Sequence, residues 1–385
     1  MVSTPSVLSL FDLDPRKVGS MEEYAAFLSQ GLRDRGWRSV LVFSHAPSEP
    51  ILRLFRDAGA LCEVCVSRGT VPSYGNLIRI LRKYRAEVVH VHFYEYFSIL
   101  PIVACLTRPR VLVFTDHYRQ PQLVSSATKT ACLLWDRVLF RLQGTKVIAI
   151  SQHIKRTLVN NYGMSAGRIQ VIYNGVNLHR FVPPNPDQVA ELRQRLQMPK
   201  GIPVVVSVAA LIPEKGIGNL LAAAKQVLSE KPDALFWIVG DGPLFEKLRR
   251  EAEELRIHQN VRFTGLRSDV DRIMAAADVV AVPSTWQEPA GLVVIEAMAT
   301  ARPVVATRVG GIPEYLEEGA TGILVEPRKP DQLARALLRL LNSPKERTEM
   351  GIAGRRRAEA LFSMERWVFD TLEFYGKAMD PGKEQ

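Results

Sequence analysis

Short runs rich in Val, Ile and Leu alternate with stretches of helical periodicity, and this alternation happens twice along the chain. In the first half, residues 7–11, 40–43, 60–66, 88–92, 111–115 and 147–151 read as strands. Residues 19–35, ended by Gly36, and residues 51–58 and 77–84 read as helices between them. Runs that are apolar at nearly every position suit strands covered on both faces. Strands alternating with helices in this way predict a parallel sheet with helices on both sides. Asn174-Gly175 and Pro183-Pro184-Asn185-Pro186 then interrupt the pattern with turn and loop signals. It restarts with strands expected at 204–208, 236–239, 261–263, 279–282, 304–306 and 322–325. The fold class predicted is α/β, with two doubly wound units of similar size. The first takes residues 1–180 and the second 181–361. A helical, aromatic-rich segment and a tail fill residues 362–385. Open sheets of this type bind ligands at the carboxyl ends of their strands, so a site is expected there, between the units.

The chain has 385 residues, 47% hydrophobic and 23% charged, an ordinary globular mix. Its first residues, MVSTPSVLSLFDLDP, show neither a basic region nor a cleavage pattern, so no signal peptide is read. The longest apolar run, residues 97–106, is too short to span a bilayer, which needs roughly 20 residues. Cys62 and Cys65 lie three apart in an extended run, so their thiols point to opposite faces. No second pair completes a zinc site, and a cytoplasmic location is expected.

The net charge of +10 is uneven. Residues 1–180 hold 23 Lys and Arg against 12 Asp and Glu, whereas residues 181–385 hold 27 against 28. Residues 76–85 form a basic amphipathic pattern, and Arg137, Arg141, Lys146, Lys155 and Arg156 add to it. This fits peripheral attraction to the anionic inner face of a membrane or to a lipid diphosphate. It fits a solvated helix face equally well. No recognised motif or interleaved aromatic set points to nucleic acid.

Residues 283–314, PSTWQEPAGLVVIEAMATARPVVATRVGGIPE, place Glu288 and Glu296 with seven residues between them. Glu288 falls in a Pro- and Gly-rich loop, and Glu296 in the first turns of an expected helix. Gly291, Leu292 and Val293 would then form that helix's N-terminus. Its backbone N–H groups and partial positive charge suit a phosphate. A carboxylate on either side can accept hydrogen bonds from hydroxyls. The arrangement fits a ligand with a diphosphate in the middle and sugars at both ends.

This segment resembles the E-x7-E motif of the retaining glycosyltransferases of family 4. The likeness includes the preceding Pro-Ser, the following Glu-Ala-Met-Ala, the Pro-Val-Val-Ala-Thr strand and the Val-Gly-Gly-Ile-Pro-Glu turn. The family usually has Glu-Pro-Phe-Gly, and here Ala290 replaces the Phe. Residues 207–216, SVAALIPEKG, resemble the family's G-R-L-x-x-x-K-G segment. Lys215 matches its lysine, but Ala210 stands where its arginine belongs. Gly240-Asp241-Gly242-Pro243 resembles the family's turn near the nucleotide base. Lys17-Val18-Gly19-Ser20 resembles its first glycine loop, with Val18 replacing one glycine. His117, after the strand at 111–115, matches its cleft histidine. Asn174-Gly175-Val176-Asn177 resembles its interdomain N-G-V-D.

The resemblance implies the GT-B fold: two Rossmann-like domains, a nucleotide-sugar donor on the second, an acceptor on the first, and a C-terminal helix crossing back to the first. It implies catalytic roles for Glu288, Lys215 and His117. It implies donor contacts from Gly19, Gly240, Gly242, Gly291, Leu292, Val293 and Glu296. The expected partners are a nucleotide sugar and a saccharide or lipid-linked saccharide, with no metal and no other cofactor. Arg308 and Arg16 are the candidates to replace the missing arginine. Asp12-Leu13-Asp14 spells a D-x-D, read here as a loop. His90 and His92 share one strand face, and packing or acceptor-side lining is the role expected of them. An epimerase or phosphorylase on this fold, or a binding protein without turnover, are the alternatives.

Overall fold

A computed structural model describes residues 4–65, 71–93, 100–117 and 145–380, with residues 130, 134, 135, 137 and 138. Tyr118, Arg141, the end of the strand expected at 60–66 and the start of the apolar run at 97–106 lie outside the described residues. The chain divides into two compact units. One is Met1–Gly175 with Met364–Gln385, and the other is Val176–Ser363.

The first unit holds a seven-stranded sheet of β1 (Ser6–Phe11), β2 (Arg38–Phe43), β3 (Ala60–Val64), β4 (Val88–His92), β5 (Val111–Asp116), β6 (Lys146–Ala149) and β7 (Ile169–Val171). The order is β3-β2-β1-β4-β5-β6-β7, and every pairing is parallel. Leu8 of β1 lies between Val40 of β2 and Val89 of β4. β1 and β4 are buried along their whole length, and only Ser6, Ser9, His90 and His92 interrupt their apolar sequences. β7 was not anticipated; it is three residues long, with an exposed Gln170 at its centre.

The Ser20–Asp34 helix buries Tyr24, Ala25, Leu28 and Leu32 at helical spacing. The Met364–Met379 helix packs on that helix and belongs to this unit. Trp367 stacks on Tyr24 at 3.9 Å between ring centres. The Tyr24 hydroxyl donates to Thr371 Oγ1 at 3.2 Å, and Tyr375 is fully buried beside His90. Each large apolar side chain buried this way contributes about 1.5–3 kcal/mol.

The second unit holds a six-stranded parallel sheet of β8 (Val204–Val208), β9 (Leu235–Val239), β10 (Val261–Phe263), β11 (Val279–Val282), β12 (Val304–Thr307) and β13 (Gly322–Val325). Its order is β10-β9-β8-β11-β12-β13. The all-buried β12 pairs residue for residue with β11 and β13, with Val305 between Ala281 and Ile323. Asp278 ties the amino ends of β8 and β11 together. It accepts the Val204 N–H at 2.8 Å and pairs with Arg193 at 2.6 Å. That leaves the opposite, carboxyl ends of both strands to their loops.

Candidate active site

In the second sheet the strand order reverses direction between β8 and β11. Loops leaving these neighbours diverge, which opens a crevice at their carboxyl ends. Lys215 lies in the loop after β8, at the end of the short turn Pro213–Lys215. Glu288 lies in the loop after β11. Lys215 Nζ donates to Glu288 Oε1 at 2.6 Å, and Ser284 Oγ donates to the same oxygen at 2.7 Å. The paired side chains are 30% and 15% exposed, so solvent screens them less than it would a surface pair.

The two loops are joined by further bonds. Thr285 N donates to Glu214 O at 2.8 Å, and Thr285 Oγ1 to Pro213 O at 3.2 Å. From the other side, Gly311 N donates to Glu288 O at 2.7 Å, and Gly310 N to Gln287 Oε1 at 2.8 Å. Thr307 Oγ1 reaches Ser284 O at 2.5 Å. Gly310 has φ +55, and a Cβ there would lie 2.0 Å from Glu288 O. The missing side chain lets the loop carrying Glu288 settle on its neighbour. Ser284, Thr307 and Gly310 were not singled out from sequence. All three lie inside the matched motif segments, which carry the likeness but not the contacts these residues make.

Leu292–Ala299 forms a helix with Gly291 at its N-cap. Its first internal bond runs from Ile295 N to Gly291 O. The N–H groups of Leu292 and Val293 therefore precede the helical ladder. Val294, Ile295, Ala297, Met298 and Ala299 anchor the helix in the core. Leu292, Val293 and Glu296 are its half-buried positions, and at this spacing they share one face. Glu296 thus shares a face with the residues whose N–H groups open the helix.

Gly240 and Gly242 follow β9. A Cβ on Gly240 would lie 1.9 Å from Ala209 O, and one on Gly242 2.7 Å from Leu211 O. These glycines allow the turn to lie against the 209–211 backbone, where Leu211 N also donates to Asp241 O at 2.9 Å. Ala210 is exposed in that backbone. Both suggested replacements for its absent arginine form exposed ion pairs. Arg308 pairs with Glu318 at 2.8 Å and Glu326 at 3.5 Å, and Arg16 with Asp14 at 2.7 Å.

In the first unit, direction reverses between β1 and β4. Gly19 caps the Ser20–Asp34 helix beyond β1. Its N–H donates to the Glu22 carboxylate at 2.9 Å, so meeting an anion would require that carboxylate to move. His92 ends β4, and His117 follows β5. His92 Nδ1 and His117 Nε2 are 3.1 Å apart. His92 stacks on Phe11 at 4.5 Å, and Phe93, at φ +64, stacks on His117 at 4.3 Å. His90 contacts the Tyr375 hydroxyl at 2.5 Å and Thr115 Oγ1 at 2.6 Å, which accounts for it as a packing residue. Burial pushes the His117 pKa down to about 3. The direction of the shift is toward a neutral imidazole at pH 7. Among the described residues, no group of three His, Cys, Asp or Glu side chains could hold a metal ion.

The model of the glycosyl transferases group 1 matches residues 188–357, and that of glycosyltransferase family 4 matches residues 21–180. Together they take in most of the chain, which belongs to the group 1 glycosyltransferases of family 4 and has their two-domain GT-B fold. A glycosyltransferase from Rickettsia africae superposes with a TM-score of 0.85 at 19% identity, over 100% of both chains. Anabaena HepE, solved in complex with UDP, gives 0.79 at 24% identity over 97% of this chain and 100% of its own.

Among curated relatives, a Corynebacterium glutamicum protein is 37% identical over 56% of this chain and 58% of its own length. It is named GDP-mannose-dependent monoacylated alpha-(1-6)-phosphatidylinositol monomannoside mannosyltransferase. A GDP-mannose-dependent alpha-(1-6)-phosphatidylinositol monomannoside mannosyltransferase of Mycolicibacterium smegmatis is 34% identical, over 58% of this chain and 59% of its own length. The chain thus spans less than two thirds of the length of these relatives.

Proposed function

We propose that the protein transfers a sugar from a nucleotide-sugar donor to a hydroxyl acceptor with retention of configuration. The observation that carries this reading is the Lys215–Glu288 pair at the β8/β11 reversal, with the Leu292–Ala299 helix following in the same chain segment. Lys215 has three N–H donors and gives one to Glu288, leaving two for diphosphate oxygens. Its charge and the N–H groups of Leu292 and Val293 stabilise the leaving diphosphate as the glycosidic bond breaks. Glu288 receives donor-sugar hydroxyls and orients the anomeric carbon. Glu296 receives the ribose hydroxyls. Gly240 and Gly242 shape the wall near the base, and His117 and Gly19 contribute from the first domain. The diphosphate charge is met without a metal in this reading, so turnover should survive chelation.

A charge-assisted hydrogen bond contributes about 1.5–3 kcal/mol. Glu296→Ala should therefore weaken nucleotide binding at least tenfold, a change of about 1.4 kcal/mol. Calorimetry with UDP, GDP and ADP sugars on both proteins tests this and identifies the base. The relatives' names favour GDP-mannose, and HepE favours UDP-glucose. Unchanged affinity in folded Glu296→Ala would remove the ribose role. Incubation with the bound sugar nucleotide, scored for released diphosphate, phosphate dependence and epimer, separates transfer from the phosphorylase, the epimerase and the binding protein.

A lipid-linked saccharide is the acceptor we infer, since the relatives' names specify phosphatidylinositol mannosides. The exposed arginines of the Val71–Tyr84 helix would meet an anionic bilayer at the surface. Among the described residues, no helix is long and apolar enough to cross a membrane. Cosedimentation with anionic and neutral vesicles tests the surface contact; equal recovery with both would remove it.

A further inference from the structure

His117 is gripped by the flat stack with Phe93 and by the 3.1 Å bond between its Nε2 and Nδ1 of His92. Exactly one proton lies in that bond when both rings are neutral, and burial keeps both pKa values low. The remaining nitrogen of His92 decides which ring supplies it. His92 is fully buried, and its Nε2 has no hydrogen-bond partner among the described residues. If His117 donated, His92 would carry its own proton on Nε2, as a buried N–H with no acceptor. Buried N–H groups without a partner are rare in folded proteins, whereas unfilled acceptor positions are better tolerated. If His92 donates from Nδ1, only a bare lone pair remains on Nε2. His90 cannot relieve the alternative, because Tyr375 and Thr115 already take both of its nitrogens.

We propose that His92 is a positioning residue that donates its Nδ1 proton to His117 and thereby fixes His117 with its own proton on Nδ1. That nitrogen has no hydrogen-bond partner among the described residues and is the one left to meet a ligand. His117 then meets a ligand only as a hydrogen-bond donor, to a hydroxyl or phosphoryl oxygen. It cannot act as the base that takes a proton from an attacking hydroxyl, because the one nitrogen able to accept is filled by His92. A neutral, donating histidine polarises an oxygen without titrating near pH 7. The ligand-facing part of this inference rests on the proposed donor site, but the tautomer does not.

Nitrogen NMR on histidine-labelled protein tests the assignment, with the His117 signals identified by their loss in His117→Gln. Protonated and bare ring nitrogens are well separated in such spectra, and no sugar nucleotide is needed. The expected result is a protonated Nδ1 and a bare Nε2 on His117 in the wild type. In His92→Phe the population should move toward the Nε2-protonated form. A wild-type His117 that carries its proton on Nε2, or that exchanges between both forms, overturns the proposal. So does an unchanged tautomer in folded His92→Phe. If that variant fails to fold, the wild-type spectrum alone decides. A protein that bound no sugar nucleotide could still show the expected tautomer, so failure of the donor reading is distinguishable from failure of this one.

Discussion

Lys215→Ala is expected to lower turnover by about 10²–10³-fold, the range found when a preorganised charge-stabilising donor is removed. The ammonium is the cation that pairs with Glu288 among the described residues, and Ala stands at position 210. Arg308 pairs with Glu318 and Glu326 at the surface. Stability should fall much less. The pair is partly solvated, and Ser284 still satisfies Glu288 Oε1 after the change. The comparison to make is kcat/KM against the midpoint of urea unfolding. A variant that loses stability and activity in proportion would mean that Lys215 is a structural member of the loop.

Gly310→Ala is expected to cost about 3 kcal/mol of stability, combining left-handed backbone strain with a forced displacement. The new Cβ would lie 2.0 Å from Glu288 O and 2.5 Å from Glu288 N, both backbone atoms that no rotamer change can move aside. Glu288 must shift, and its contacts with Lys215 and Ser284 shift with it. Activity should therefore fall even at temperatures where the variant is fully folded. Gly319→Ala is the control. Gly319 has φ +76 and open space around the Cβ position, so only the backbone strain applies, about 1 kcal/mol. Equal behaviour of the two variants in thermal unfolding and turnover would show that the contact beneath Glu288 carries no weight.

The architecture was legible because doubly wound sheets bury both faces of their central strands, and β1, β4, β8 and β11 are written as near-continuous apolar runs. β7 escaped because three residues centred on an exposed Gln leave no such run. Lys215, Glu288 and Glu296 were legible through local motifs. What the motifs could not convey is which atoms meet. Ser284 shares Glu288 with Lys215, Gly310 lies beneath it, and His92 bonds His117 across two strands. Apart from Ser284 with Glu288, which share one loop, these contacts join residues from separate loops or strands, and side-chain type alone does not reveal them. Gly240 and Gly242 are glycines of a motif turn, and the sequence does not show that their bare Cα atoms admit the 209–211 backbone.

The Met364–Met379 helix makes the first unit discontinuous, and this sets an order of events during biosynthesis. Tyr24 and Thr371, which bond to each other, are 347 positions apart. While the ribosome is still making the second unit, the surface that will receive Trp367, Leu372 and Tyr375 stays uncovered. The second unit, drawn from one uninterrupted stretch, can close as soon as it emerges. The unit synthesised first is thus the one completed last, and a nascent chain exposes its aromatic seat for the longest time. That interval is when a chaperone binding apolar surface would have most to cover.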